Sequence, residues 1–175
     1  MEDNIDKVSV KSIGIKYGII LGLFNIGYSL LLQLTGLAGE QSLGYLSFAF
    51  MIIILVFAYR EFKGYNDGFM KLGQGISLGM LIVVISSVFS SIFTYLYLKL
   101  VDDSMIQMIA DVTREEMMKN PNLSDEQIEQ ALAMTANFTT PEMILVFGII
   151  GGLFFGFLIS LVMSLIFRKE NPEVY

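Results

Sequence analysis

Cysteine and histidine are absent from this 175-residue sequence, and only 16% of its side chains carry charge. Without cysteine there is no disulfide, thiol nucleophile or thiolate ligand, and without histidine no imidazole base or imidazole ligand. Those two absences remove most familiar catalytic constellations, so no catalytic, metal or cofactor-binding residue is assigned and the chain reads as a non-enzyme. Basic residues are scarce as well: eleven Lys and Arg stand against seventeen Asp and Glu, a net charge of −6. That balance repels a phosphate backbone, and no basic patch with interleaved aromatics offsets it, which argues against a nucleic-acid partner.

What is present is apolar length. Hydrophobic residues make up 54% of the chain and the mean hydropathy is +0.65, beyond what a soluble surface ordinarily tolerates. Four runs, 17–39, 41–59, 72–98 and 143–167, contain no Asp, Glu, Lys or Arg. A hydrocarbon core about 30 Å thick is crossed by roughly 20 helical residues. The expected fold is therefore all-α: a polytopic membrane protein whose four transmembrane helices make residues 1–175 a single membrane domain. Lys7, Lys11 and Lys16 precede the first run, but its length exceeds the roughly 7–15 residues of a signal-peptide core, so an uncleaved span is expected.

Orientation follows from the basic residues. Eight of them, Lys7, Lys11, Lys16, Arg60, Lys63, Lys71, Arg168 and Lys169, fall on one side of the four runs, and three, Lys99, Arg114 and Lys119, on the other. The positive-inside rule then puts both termini and the 59–71 turn in the cytoplasm. Tyr17, Tyr59, Tyr95 and Tyr97 lie near span ends, where amphipathic rings are favoured. Between the third and fourth spans, 99–142 forms an acidic extracytoplasmic excursion with nine carboxylates and three basic groups. In it "SMIQ" at Ser104 and "SDEQ" at Ser124 fit Ser-x-x-Gln capping boxes, and Pro121 separates the segments that follow, which predicts a helical hairpin of 105–119 and 125–138. Its apolar positions include Met105, Met108, Ile109, Val112, Ile128, Ala131, Leu132 and Thr135, one face per helix. "TPE" then opens the last span with Thr140 as N-cap, Pro141 at the first helical position and Glu142 suited to the dipole.

Small residues recur every four positions: Gly14, Gly18 and Gly22 in the first helix, Gly75, Gly79, Ser87 and Ser91 in the third, Gly148, Gly152 and Gly156 in the fourth. Such faces let helix backbones approach closely in lipid. At about 100° per residue the Gly75–Gly79 and Ser87–Ser91 patches lie roughly 120° apart. The third helix is accordingly expected to meet the first through Gly75 and Gly79 and the fourth through Ser87 and Ser91. These faces serve packing within one chain or homo-oligomerisation between chains.

Polar side chains inside the spans are few. Asn25, Ser29 and Gln33 continue the glycine stripe of the first helix, and Ser86, Ser90 and Thr94 form a row on the third. They read as interhelical hydrogen-bonding groups or as the lining of a substrate path. No ionisable side chain accompanies them, which disfavours a proton- or ion-coupled transporter. In the excursion, Asp111 and Glu115 share a helix face beside Asp102, Asp103 and Glu116, and a divalent cation could bridge them to anionic headgroups; a charge run is ordinarily a solvated face. Met105, Met108, Met117, Met118 and Met134 suit a small hairpin core, a membrane-lying face or an adaptable partner surface.

The stretch from Tyr59 to Gly79, "YREFKGYNDGFMKLGQGISLG", resembles a phosphate cradle but has neither Gly-Lys-Ser/Thr after its glycines nor a strand before them. It reads instead as anchors Arg60, Lys63 and Lys71, a turn at "NDG" in which Asn66 and Gly68 take left-handed angles, and the start of a packing face.

Taken in order, "GFMKLGQGISLG", "SSIFTYLYLKLVD", "LSDEQIEQALAMTANFTTP" and "FGFLISLVMSLIFRKENP" resemble the bacterial membrane family known as domain of unknown function 4199, from about Lys11 to Pro172. The resemblance implies four spans, a helical extracytoplasmic excursion before the fourth and a bacterial inner-membrane location, and it supplies no site residues. Two functions are expected to compete. One is a non-enzymatic scaffold or accessory subunit, with membrane lipid around it and an envelope protein bound through the 99–142 hairpin. The other is a carrier component for a lipid-linked molecule or small solute, with the Asn25, Ser29, Gln33 face and the Ser86, Ser90, Thr94 row lining its cleft. An interfacial enzyme using a pair such as Asp102 and Asp103 is the weakest of three, for want of a base or a basic phosphate grip.

Overall fold

The computed structural model describes residues 9–170, the side chain of Gln41 excepted. Lys7, and Asn171 and Pro172 of the last quoted segment, lie outside the described residues. Six helices follow in order: α1 (Val10–Leu34), α2 (Gln41–Gly64), α3 (Leu72–Leu100), α4 (Ser104–Met118), α5 (Asp125–Ala136) and α6 (Pro141–Phe167). Four of them, α1, α2, α3 and α6, are long and apolar enough to cross a membrane. At 1.5 Å per residue they run from about 36 to 43 Å, longer than the hydrocarbon core, so their ends protrude or the helices tilt.

Helix bounds differ from the charge-free runs because capping ends a helix, whereas a charged side chain does not. α1 starts seven residues before Tyr17, where Ser9 Oγ accepts the Ser12 amide at 3.1 Å, and it carries Lys11 and Lys16 within it. It ends at Leu34, ahead of Gly36, whose φ of 70° lies in the left-handed region. α2 continues past Tyr59 through Arg60, Glu61 and Lys63 to Gly64. In the turn that follows, Asp67 (φ 52°) and Gly68 (φ 80°) take the left-handed angles, not Asn66. Asn66 holds the turn instead, its Nδ2 donating to the Phe69 carbonyl at 2.9 Å. α6 begins as expected, with Thr140 accepting the Met143 amide at 3.3 Å and Pro141 in the first turn.

α3 is the central helix, in its most extensive contact with α6 and then with α1. The α3–α6 seam is one antiparallel ladder with a step of four residues. Gly75 faces Ser164, Gly79 faces Ser160, Val83 faces Gly156, Ser87 faces Gly152 and Ser91 faces Gly148. At each rung one partner is glycine, and a Cβ added there would overlap the other: 2.6 Å from Ser164 Oγ at Gly75, 2.9 Å from Val83 Cγ1 at Gly156. Gly75 and Gly79 therefore meet α6, not α1, while Ser87 and Ser91 meet α6 as expected, so the two small-residue patches of α3 form one face, not two. A straight-helix projection separates the patches, but an i, i+4 row is itself a continuous inclined ridge, and a crossing helix follows it. α1 meets α3 through its own glycines, with Gly14 against Leu81, Gly18 against Ile85 and Gly22 against Phe89, a constant offset that fits two parallel helices.

One end of the bundle is tied by polar groups. Tyr59 is fully buried and its hydroxyl donates to the Gly75 carbonyl at 2.9 Å, so it belongs to the core and is no interface anchor. An isolated antiparallel bridge joins Met70 and Lys169 (N···O 2.9 and 3.0 Å). Lys63 Nζ donates to the Phe167 carbonyl at 3.1 Å. Lys16 Nζ grips both oxygens of Glu61 at 2.9 and 2.8 Å, and Tyr17 donates to the same carboxylate at 2.6 Å.

Candidate functional site

At the other end α2 parts from α3. Its later half is core, with Ile54, Leu55, Ala58, Tyr59 and Phe62 buried, whereas Tyr45, Leu46 and Phe48 near its start are exposed. What holds that start is α1, through stacked Phe24 and Phe50 rings and a Tyr28 hydroxyl donated to the Leu43 carbonyl at 2.9 Å. The divergence opens a cleft of about 380 Å³, within the roughly 300–1,000 Å³ range of small-molecule pockets.

Both polar rows expected from the sequence meet there. α1 contributes Asn25, Tyr28, Ser29, Leu32 and Gln33, α3 contributes Ser90 and Thr94, α2 contributes Ser47, and Ala38 with Met105 and Met108 closes the outer end. No Asp, Glu, Lys or Arg lines it. Asn25 lies nine residues before the end of α1, about 14 Å at 1.5 Å per residue, so the cleft runs from mid-helix depth toward α4. Ser86 sits beneath the wall, 3% exposed, and accepts from Asn25 Nδ2 at 3.2 Å. Gln33 Nε2 donates to Ser29 Oγ at 3.1 Å, four residues back on its own helix.

These bonds leave capacity unused. Among the described residues Asn25 Oδ1 and Ser90 Oγ are buried without a protein partner. An unmade hydrogen bond away from water costs about 1–3 kcal/mol, and both atoms belong to side chains that line the cleft. Ser160 Oγ is a third such atom, but it sits in the α3–α6 seam, with no space beside it.

A smaller, more enclosed recess of about 180 Å³ adjoins it toward α4, sharing Gln33, Ala38, Met105 and Met108 and adding Asp102 and Ser104. The Asp102 carboxyl is held below the usual carboxylate range, first by the Ser104 amide (2.9 Å) and then by its hydroxyl (2.8 Å). Ser104 is thus the first residue of α4, following Asp103 as N-cap, and the "SMIQ" box does not form. The "SDEQ" box does: Ser124 Oγ accepts the Gln127 amide at 3.3 Å and Gln127 Oε1 accepts the Ser124 amide at 2.9 Å.

α4 and α5 run two residues or fewer short of their expected ends and are joined by an Arg114–Glu129 ion pair at 2.7 Å. The methionines divide: Met105 and Met108 reach the cleft, while Met118 and Met134 are exposed. Tyr28, Ser47, Met105 and Met108 were not expected from the sequence as cleft residues. Tyr28 stands one turn after Asn25, a spacing that was available as a signal, whereas nothing local ties Ser47 to a site three helices wide. The basic residues Lys11, Lys16, Arg60, Lys63, Lys71, Arg168 and Lys169 all belong to the opposite end, at the start of α1 and α3 and the end of α2 and α6.

A family model described as a protein of unknown function, DUF4199, matches residues 16–169. No curated protein and no solved structure matches the chain.

Proposed function

We propose, from the premise that this chain belongs to the DUF4199 family, that it is a non-enzymatic multi-pass membrane protein that accommodates a lipid-linked molecule or small solute in the cleft between α1, α2 and α3. The observation that carries the reading is the convergence of Asn25, Ser29 and Gln33 with Ser90 and Thr94 on one space without an ionisable wall. Hydrogen-bonding groups at that depth are costly unless matched, and interhelical bonds account for only part of their capacity. With no intramembrane carboxylate to carry a proton, it acts as a passive carrier component or an accessory that presents its occupant to another protein. The bacterial inner membrane is its proposed location, both termini cytoplasmic, with α4 and α5 outside.

The scaffold reading keeps one specific support. α4 and α5 expose Met118 and Met134 among acidic side chains, a surface suited to an envelope partner. The two readings combine if the partner receives what the cleft holds.

The test is purification in native lipid discs followed by mass spectrometry of bound species, for the wild type and for Asn25→Leu with Gln33→Leu. The expected outcome is an amphiphile retained near one per chain by the wild type and lost at least tenfold from the double variant at equal folded yield. Equal retention by both, or physiological activity unchanged in the double variant, would sink the cleft reading.

A further inference from the structure

Resting on that cleft reading, we infer the chemical class of the occupant: an uncharged, hydroxyl-bearing head group on a hydrocarbon chain, the head between α1 and α3 and the chain leaving between α2 and α3.

Charge is argued from the wall. A phosphate brought to the depth of Asn25 would be a buried charge, and none of the lining side chains is a Lys or Arg to pair with it. The one carboxylate on the path, Asp102 in the recess beside α4, is itself an anion and disfavours an anionic head group further. Hydrogen bonding gives the polarity of the match. Asn25 Oδ1 only accepts, and Ser90 Oγ both donates and accepts. Both belong to side chains that line the cleft and lack a protein partner, with almost no surface of their own exposed; a side-chain rotation that brings either to the cleft pairs it with a donor on the occupant, which a hydroxyl supplies and an ester or ether oxygen does not.

The route of the chain follows from where α2 touches α3. Their contact is at the far end, where Tyr59 meets Gly75 and Gly79. Toward the start of α2 Ser47 is its one residue on the cleft, and α2 and α3 touch little beyond that far end, so the gap between them leads sideways to lipid while Met105 and Met108 cover the end nearest α4.

The experiment uses the full chain in phosphatidylcholine discs doped equally with one of two photoactivatable lipids. One is a diacylglycerol with a diazirine in its acyl chain; the other is the matching phosphatidate, which differs only by a phosphate on the free hydroxyl. Adducts are mapped by peptide mass spectrometry. We expect at least tenfold more adduct from the diacylglycerol, located on the first half of α2 and the second half of α3. Ser90→Ala with Thr94→Val, a change that leaves volume and fold nearly untouched, should reduce it severalfold at unchanged monodispersity. Equal yields at those positions, or a preference for phosphatidate, would overturn the head-group class while leaving the cleft a lipid site. Adducts from both lipids confined to the outer face of α6 would overturn the class and the cleft reading together.

Discussion

A single methyl group is enough to decide how closely α3 and α6 approach. At Gly152 an added Cβ would overlap the Ser87 side chain, whereas at the neighbouring Gly151 it would meet nothing within 4 Å. Gly152→Leu should therefore cost about 1–3 kcal/mol of overpacking and lower the unfolding midpoint of the monomer in detergent. Gly151→Leu, with the same change in bulk and hydropathy, should leave the midpoint nearly unchanged. A Gly152→Leu protein that keeps its midpoint and loses only self-association would move the ladder from within the chain to between chains. Ser87, Ser91, Gly148, Gly152 and Gly156 could be read as partners from their four-residue recurrence alone. Gly75 and Gly79 were harder to place: Ser160 and Ser164 extend the Gly148, Gly152 and Gly156 row at the same step, but on α3 Val83 interrupts the row and makes one ridge look like two patches. Residue type announces closeness, and only the pairing of whole helices announces to what.

Among the elements, α4 depends most visibly on how it starts. Asp102 closes a short loop onto the Ser104 amide and hydroxyl, and those bonds hold its carboxyl below its ordinary value. A group whose pKa is lower folded than unfolded stabilises the fold above its unfolded value, near 3.9 for Asp, and the contribution is lost as pH falls through the folded value. The first turn of α4 should thus exchange its amides a few-fold faster in Asp102→Asn than in wild type at pH 7. The two proteins should converge once the medium is acidified well below the carboxylate range, after correction for intrinsic exchange. The effect is kept small because the carboxyl is exposed to solvent, and a difference that persisted unchanged in acid would show that charge has no part in it. The element itself was legible from its apolar period, and so was α5 with its formed capping box at Ser124. The start of α4 was not, because "SMIQ" and "SDEQ" look alike while the preceding Asp102 accepts the Ser104 amide that the Gln107 side chain would accept in the box. Local competition for one amide is invisible to a pattern that counts only the members of the box.

Over the whole molecule the charges sort by end. The described anchors Lys11, Lys16, Arg60, Lys63, Lys71, Arg168 and Lys169 gather where α1 and α3 begin and α2 and α6 finish. At the other end each of the three cations sits on a carboxylate: Lys99 on Glu142, Arg114 on Glu129 and Lys119 on Glu116. Four antiparallel crossings were readable from hydropathy, and the two-ended charge pattern follows from them, since any even number of spans returns the chain to the side on which it began. The cleft was half legible: its polar rows stood out against apolar surroundings, but the space between them exists only because α2 leans on α1 and away from α3, a tertiary fact. Orientation in the membrane ties these features to function, for the cleft runs toward α4, whose methionines cover that end, and so lies toward whichever side α4 occupies. The positive-inside rule weighs basic residues in short loops and gives carboxylates little say, so the paired state of the three cations at the α4 end does not alter the eight-to-three count. A chain without native cysteine lends itself to single-cysteine mapping. A Cys replacing Asp125 in α5 should react with an impermeant maleimide from outside intact cells, and one replacing Asp67 in the α2–α3 turn only after permeabilisation. The reverse pattern would turn the cleft to face the cytoplasm, making its occupant a molecule collected inside; the expected pattern gives it an outward mouth covered by the methionines of α4, from which an occupant reaches either the outer leaflet sideways or a partner docked on α4 and α5.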